Sequence, residues 1–258
     1  MDSEHPILAN PSQTAAGGSL RRLFLLTVVL WCAIPLSPQS VDSDFWGHAR
    51  YGSDTWHRGL AHQATYTYTS IGHTWINHEN LSELILAWGA YGVGPTSLLV
   101  LKCVLGCGVL WLGICAAQRR RLHVHAATLA VICVVVAINL SFYWGLRPHL
   151  FTFVFFAMLI ALADWCFEGW SGYCHLPWKN PQDEIPKLNW HRLHCLWFAP
   201  VLLAVWANTH GGFLAGVAVF AALLCGRSLE VLMVQGLRGW QAVAYFALLA
   251  VAGGAATL

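Results

Sequence analysis

Apolar residues fall into seven runs along the chain, at about residues 23–36, 97–117, 126–144, 149–167, 195–208, 212–226 and 240–258, separated by short polar turns and one long polar stretch. A helix needs about 20 mostly apolar residues to cross the hydrocarbon core of a bilayer, and its backbone groups must pair within the segment. The pattern predicts an all-α, polytopic transmembrane helical protein of about seven membrane-embedded helices. The runs 195–208 and 212–226 are individually short. They predict either two tight spans joined at "NTHGG" or a broken pair, which is tolerated where irregular backbone lines a cavity.

The long polar stretch, residues 37–96, carries its own periodicity. In "HENLSELILAWGAYG", Leu81, Leu84, Ile85 and Trp88 recur at helical spacing opposite Asn80, Ser82 and Glu83. That spacing predicts an amphipathic helix lying on the membrane surface. "DSDFWGHARYGSDTWHRG" predicts a second short helix with Asp42 or Ser43 as its cap. Residues 1–20 read as a disordered cytoplasmic tail and 21–258 as one transmembrane domain, expected to be incomplete because the last run reaches the final residue. Arg21 and Arg22 before a short apolar core also suit a signal peptide, but no small-x-small cleavage site follows, which favours an uncleaved anchor.

Composition agrees with a membrane protein: 57% of residues are hydrophobic and 10% charged, against about 25% charged in soluble domains. A net charge of +2, spread in short clusters, excludes a nucleic-acid partner. Charge also orients the chain. With the N-terminus cytoplasmic, Arg21, Arg22, Arg119, Arg120, Arg121, Lys179, Lys187, Arg192, Arg227 and Arg238 lie inside, and only Arg50, Arg58, Lys102 and Arg147 lie outside or near the outer face. The loop 37–96 and the turns around 145–149 and 208–212 then face out. Of nine cysteines none falls in 39–80, so the thiols read as small hydrophobes and no disulfide framework is expected.

The outward segments collect the candidate chemistry. Asp42 and Asp44, straight after the first run, can hold a base at the membrane surface, or simply start a helix. His48 follows on the same stretch. His78, Glu79 and Glu83 can hydrogen-bond a substrate or admit a divalent cation, although a tight signature such as HExxH is absent. Arg147 and His149 sit at the outer end of two spans, where a guanidinium suits a phosphate or merely snorkels. Lys102 falls near the outer interface and can neutralise a lipid phosphate. Asn208 and His210 occupy the outer turn, able to bind a ligand or each other. On the inner side Cys174, His175, His191, His194 and Cys195 resemble zinc ligands, but their spacing fits no standard finger.

Four blocks in order, "DSDFWGHARYG", "TYTSIGHTWINHENLSELI", "GLRPHLFTF" and "VWANTHGGFLAG", span residues 41–216. Together they resemble the first half of the GT-C superfamily of multi-pass membrane glycosyltransferases, particularly bacterial members akin to protein O-mannosyltransferases. The resemblance implies transfer of a sugar from a polyprenyl-phosphate carrier to an acceptor on the outer face of a plasma membrane. By the same resemblance Asp44 or Asp42 is the general base and Arg147 holds the leaving phosphate; the residues themselves make His48, His78, Glu79, Lys102, His149, Asn208 and His210 the candidate substrate-binding positions. No cofactor is certain, a divalent cation being the one the residues admit. Two other classes stay open: a transporter or flippase of lipid-linked sugars, which would carry polar groups through the membrane midplane, and a non-catalytic membrane protein.

Overall fold

A computed structural model of the chain describes residues 11–38, 42–119, 124–170 and 188–258. The first ten residues of the predicted tail, the arginines Arg120 and Arg121, the lysines Lys179 and Lys187, and the zinc-like pair Cys174 and His175 lie outside the described residues; residues 11–20, expected as disordered tail, are helical and open the first helix. Among the described residues the structure is helical and holds no strand; a lone antiparallel bridge joins Gln63 to Thr74.

Nine helices carry the architecture of the described residues. In chain order they are α1 (Pro11–Trp31, continued by the turn Ala33–Leu36), α2 (Ser43–Arg58), α3 (Asn80–Ala87), α4 (Pro95–Arg119), α5 (Ala126–Ser141), α6 (His149–Cys166), α7 (Phe198–Ala207), α8 (Phe213–Gln235) and α9 (Trp240–Ala255). Four stretches are long and apolar enough to cross a membrane by length and composition: Gly18–Leu36, Pro95–Arg119, His149–Cys166 and Phe213–Ala255. The last is a helical hairpin. Gly236 closes α8 at φ +56, a left-handed setting that glycine adopts without a Cβ clash, and α9 returns against α8.

The remaining apolar helices are shorter than sequence periodicity suggests. The run 126–144 yields only Ala126–Ser141, and the run 195–208 yields α7, preceded by a one-turn helix at Trp190–His194 and a 3₁₀ turn at Cys195–Trp197. Residues on α5 such as Val131, Ile132 and Val135 are at least half exposed, which an aqueous surface would not favour and a lipid surface would.

Two apolar cores hold the bundle. One gathers Leu25, Leu36, Leu110, Ile114, Ala137 and Trp144 from α1, α4, α5 and the turn before α6. The other gathers Leu193, Leu203, Trp206, Phe220, Phe246 and Leu249 from the one-turn helix at Trp190–His194 and from α7, α8 and α9. Helix α6 joins them, since Leu150 belongs to the first and Leu159 to the second. The residues at its N-terminal end are therefore fixed from both sides.

Helices α2 and α3 pack against each other across one end of the bundle. A Cβ at Gly52 would run into the Glu83 carbonyl, so glycine is what lets the two backbones touch. The polar face of α3 is the packed one. Ser82 and Glu83 are 0% and 2% exposed, whereas Leu81, Ile85 and Trp88 are exposed. Solvent is not the sink for the polar face here; the other polar segments are. The eight cysteines in the described residues are all free thiols.

Candidate functional site

Three separate contacts draw the polar segments to one end of the bundle. The Lys102 ammonium on α4 donates to the Pro38 carbonyl (3.0 Å). Arg147, in the turn before α6, pairs with Asp42 and Asp44. The Leu81 N–H at the start of α3 donates to the Asn208 carbonyl (2.9 Å), satisfying one of the donors a helix start leaves open. The loop 42–94 is thereby tied to the turns at 142–148 and 208–212.

Asp42 is the N-cap of α2, its carboxylate accepting from the Asp44 N–H (3.0 Å). The cap explains why the helix begins where it does. The same carboxylate meets Arg147, and that guanidinium together with the Asp44 N–H holds the Asp42 carboxyl below its ordinary pKa. Asp42 in turn raises the pKa of Arg147. Asp44 lies 3.1 Å from Arg147 Nη2 and its side chain is 61% exposed. One acid is committed to cap and ion pair, and the other reaches Arg147 while open to solvent.

Beside this pair lies a cavity of about 290 Å³ lined by Pro38, Phe45, Trp46, Leu98, Lys102 and Leu146, among others. Its walls are mostly apolar. Lys102 is the cation among these lining residues and is 2% exposed. The Trp144 indole N–H donates to the Lys102 carbonyl (3.1 Å), fixing the 142–148 turn against α4.

His48 sits one helical turn after Asp44, on the same face of α2. Its Nδ1 lies 3.2 Å from Glu83 Oε1 and 3.6 Å from Glu79 Oε2. The hydrogen bond to Glu83 raises the His48 pKa, with burial opposing it. Burial likewise raises the Glu79 carboxyl, a shift its neighbouring histidines oppose. Asn77 donates its amide to Glu83 Oε2 (2.5 Å). The His57 ring lies elsewhere, bonded to the Ser53 carbonyl.

His210 approaches Glu79 Oε1 to 3.7 Å through Nε2, and His78 Nε2 lies 3.9 Å from the same oxygen. The tautomer of His210 follows from its other nitrogen. The Gly212 N–H donates to Nδ1 (3.0 Å). Thr152 Oγ1 is 2.9 Å away and already accepts from the Trp206 indole (3.1 Å), so the threonine hydroxyl also points its proton at Nδ1. The proton of His210 therefore resides on Nε2, facing Glu79. Burial, reinforced by His149, His78 and His48, lowers its pKa to about 4, so the ring is neutral at pH 7. His149 donates from Nε2 to the Tyr143 carbonyl (2.7 Å) and lies edge-on to His210.

Of the sequence candidates, Asp42, Asp44 and Arg147 form one cluster, and His48, Glu79, His78 and His210 a second beside it. Asn208 contributes its backbone carbonyl; its side chain is turned back to the Ala204 carbonyl (2.9 Å). Asn77, Thr152 and Trp206 were not legible. Asn77 belongs to no helical or apolar pattern, and the other two are embedded in apolar runs. Of the zinc-like set, His194 meets the Tyr245 hydroxyl (3.3 Å) and Cys195 the His191 carbonyl. Comparison with protein-family models, with curated proteins and with solved structures gave no match.

Proposed function

We propose that the chain is a membrane glycosyltransferase of the GT-C type that moves a sugar from a polyprenyl-phosphate carrier to an acceptor hydroxyl at the outer membrane face. In this reading about seven helices are embedded, the N-terminus is cytoplasmic, and α2 and α3 lie on the outer surface with Leu81, Ile85 and Trp88 toward lipid. The observation that carries it is the sharing of Arg147 between Asp42 and Asp44 beside an apolar cavity with a buried lysine.

Displacing a phosphate from an anomeric carbon needs a base on the acceptor and a cation at the leaving oxygen. Asp44 is the base: its carboxylate takes the hydroxyl proton as that oxygen bonds to the anomeric carbon. The bond from that carbon to the phosphate oxygen breaks, and the polyprenyl phosphate leaves with the electron pair. Arg147 stabilises the charge, and Lys102 neutralises the phosphate from the cavity side. Asp42 positions Arg147 and caps α2. A volume of about 290 Å³ is near the lower end of ligand pockets, about 300–1,000 Å³, and suits a sugar-phosphate head group while the prenyl chain stays in lipid.

The polar groups gather at one end of the bundle rather than along the spans, which favours transfer at a surface over transport through the midplane. The test is reconstitution of the protein in liposomes with labelled polyprenyl-phosphate sugars. Label is expected to leave the lipid with wild-type protein and to stay on it with Asp44→Asn. Equal release by both proteins would refute the assignment.

A further inference from the structure

We infer that His48, Glu79 and Glu83 form a binding site for one divalent transition-metal ion, of the zinc or manganese class. The inference does not depend on glycosyl transfer. The donor atoms form a triangle: His48 Nδ1 is 3.2 Å from Glu83 Oε1 and 3.6 Å from Glu79 Oε2, and all three lie within 4.8 Å of one another. In any triangle with those sides a point lies about 1.9–2.4 Å from each corner, against about 2.0–2.2 Å for zinc bound to imidazole or carboxylate. Shifts of a few tenths of an ångström complete the geometry.

The outer oxygens are arranged for the same purpose. Each carboxylate turns one oxygen toward His48, and the other faces outward, hydrogen-bonded in Glu83 and 3.7–3.9 Å from two imidazoles in Glu79. Glu83 Oε2 accepts from Asn77, and Glu79 Oε1 faces His210 Nε2 and His78 Nε2. Supporting donors of this kind fix ligand orientation in metal sites. His210 belongs to that outer layer and is not itself a ligand, because the Gly212 N–H occupies Nδ1 and keeps the proton on Nε2. A donor set of one imidazole and two carboxylates suits zinc, manganese or iron(II) better than the all-oxygen shells of calcium and magnesium.

Glu79 and Glu83 share the His48 imidazole, Glu79 also faces His78 and the neutral ring of His210, and the Arg147 guanidinium is taken by Asp42 and Asp44. The frame is rigid, with Glu83 and its helix pressed on α2 at Gly52, so the apo site needs little rearrangement. Glu79 and His48 side chains are 20% and 19% exposed against 3% for Glu83, leaving the fourth coordination position on the open side for water or a substrate oxygen.

Full-length protein in detergent, stripped with chelator and dialysed against Zn²⁺ or Mn²⁺, is expected to retain one ion per chain by elemental analysis. Co²⁺ should give the visible absorption of a four- or five-coordinate N/O site, a readout that needs no variant. Glu79→Gln and His48→Asn should abolish stoichiometric uptake, and His210→Asn should weaken it about ten- to a hundredfold. Asp44→Asn should bind as wild type does while losing transfer, which separates this site from the proposed reaction. No uptake by the wild-type chain, or uptake unchanged in both ligand variants, would overturn the inference.

Discussion

At one end of the bundle Arg192 meets Glu168 and stacks over Trp165, and Arg227 meets Glu230 (2.6 Å) with its guanidinium against the rings of Phe167 and Trp170. At the other end Arg147 is divided between Asp42 and Asp44, and His48 between Glu79 and Glu83. The first arrangement matches cations and anions singly and covers the remaining guanidinium faces with aromatic carbon, a stacking favourable by itself. Among the described residues these two pairs are matched one to one. In the second, one cation serves two carboxylates in each cluster, with His78 and His210 standing farther from Glu79 at 3.9 and 3.7 Å. Charge paired singly suits architecture; a cation shared between two acids suits a site that another molecule can enter.

The sharpest way to break this contrast is at the acids of the unmatched end. Asp44→Asn should lower label transfer by about 10²–10⁴-fold, the usual worth of a general base. Asp42→Asn should also impair it, through the lost cap and a loosened Arg147; an Asp42 effect larger than that of Asp44 would exchange their roles. Next, Arg147→Lys keeps the charge but loses the fork that reaches two acids. A charge-assisted hydrogen bond is worth about 1.5–3 kcal/mol, so transfer should fall about ten- to a hundredfold.

Smaller effects separate the ends by stability. Gly52→Ala forces a Cβ into the Glu83 carbonyl and should cost about 1–3 kcal/mol by overpacking, read as a lower melting temperature in detergent. Gly226→Ala, where a Cβ meets nothing within 4 Å, should cost nothing measurable. His210 adds a pH dependence. Its pKa falls from 6.5 unfolded to about 4 folded, so the unfolded chain binds the proton first. The stability from burying the neutral ring, which faces Glu79, His149, His78 and His48, is full above pH 6.5 and is lost as pH drops toward 4. Discounted for a ring about a quarter exposed, the loss is about 1–2 kcal/mol, and His210→Asn should flatten that slope. Smallest of all, Arg192→Gln at the matched end should cost at most about 1 kcal/mol and leave transfer unchanged.

Much of this was legible in the residues because the relevant patterns are local. The helix over 43–58 and its Asp42 cap follow from one stretch of chain, and so does the period of α3. The direction in which α3 faces does not. Leu81 and Trp88 could mark a buried face or a lipid face with equal right, and only contact of Ser82 and Glu83 with other segments decides it. Asp42, Asp44 and Arg147 were recognisable singly as acids and a cation at span ends, but their meeting crosses more than a hundred residues. Thr152 was hidden more deeply, since a hydroxyl in an apolar run ordinarily bonds its own helix, and its role emerges only with His210 beside it. Four stretches among the described residues are long and apolar enough to span, while α5 and α7 stop short of their apolar runs, because an apolar run fixes composition but not where the helical turns end.

The backbone bond from Leu81 to Asn208 has a reach beyond its own strength. Next to it the Ser82 hydroxyl lies 2.7 Å from the Thr209 carbonyl, and Glu79 faces His210. One backbone amide and two side chains, those of Glu79 and Ser82, thus meet a single tight corner of the polypeptide. The start of α3 and the 208–210 corner are therefore joined at three points within four residues of chain.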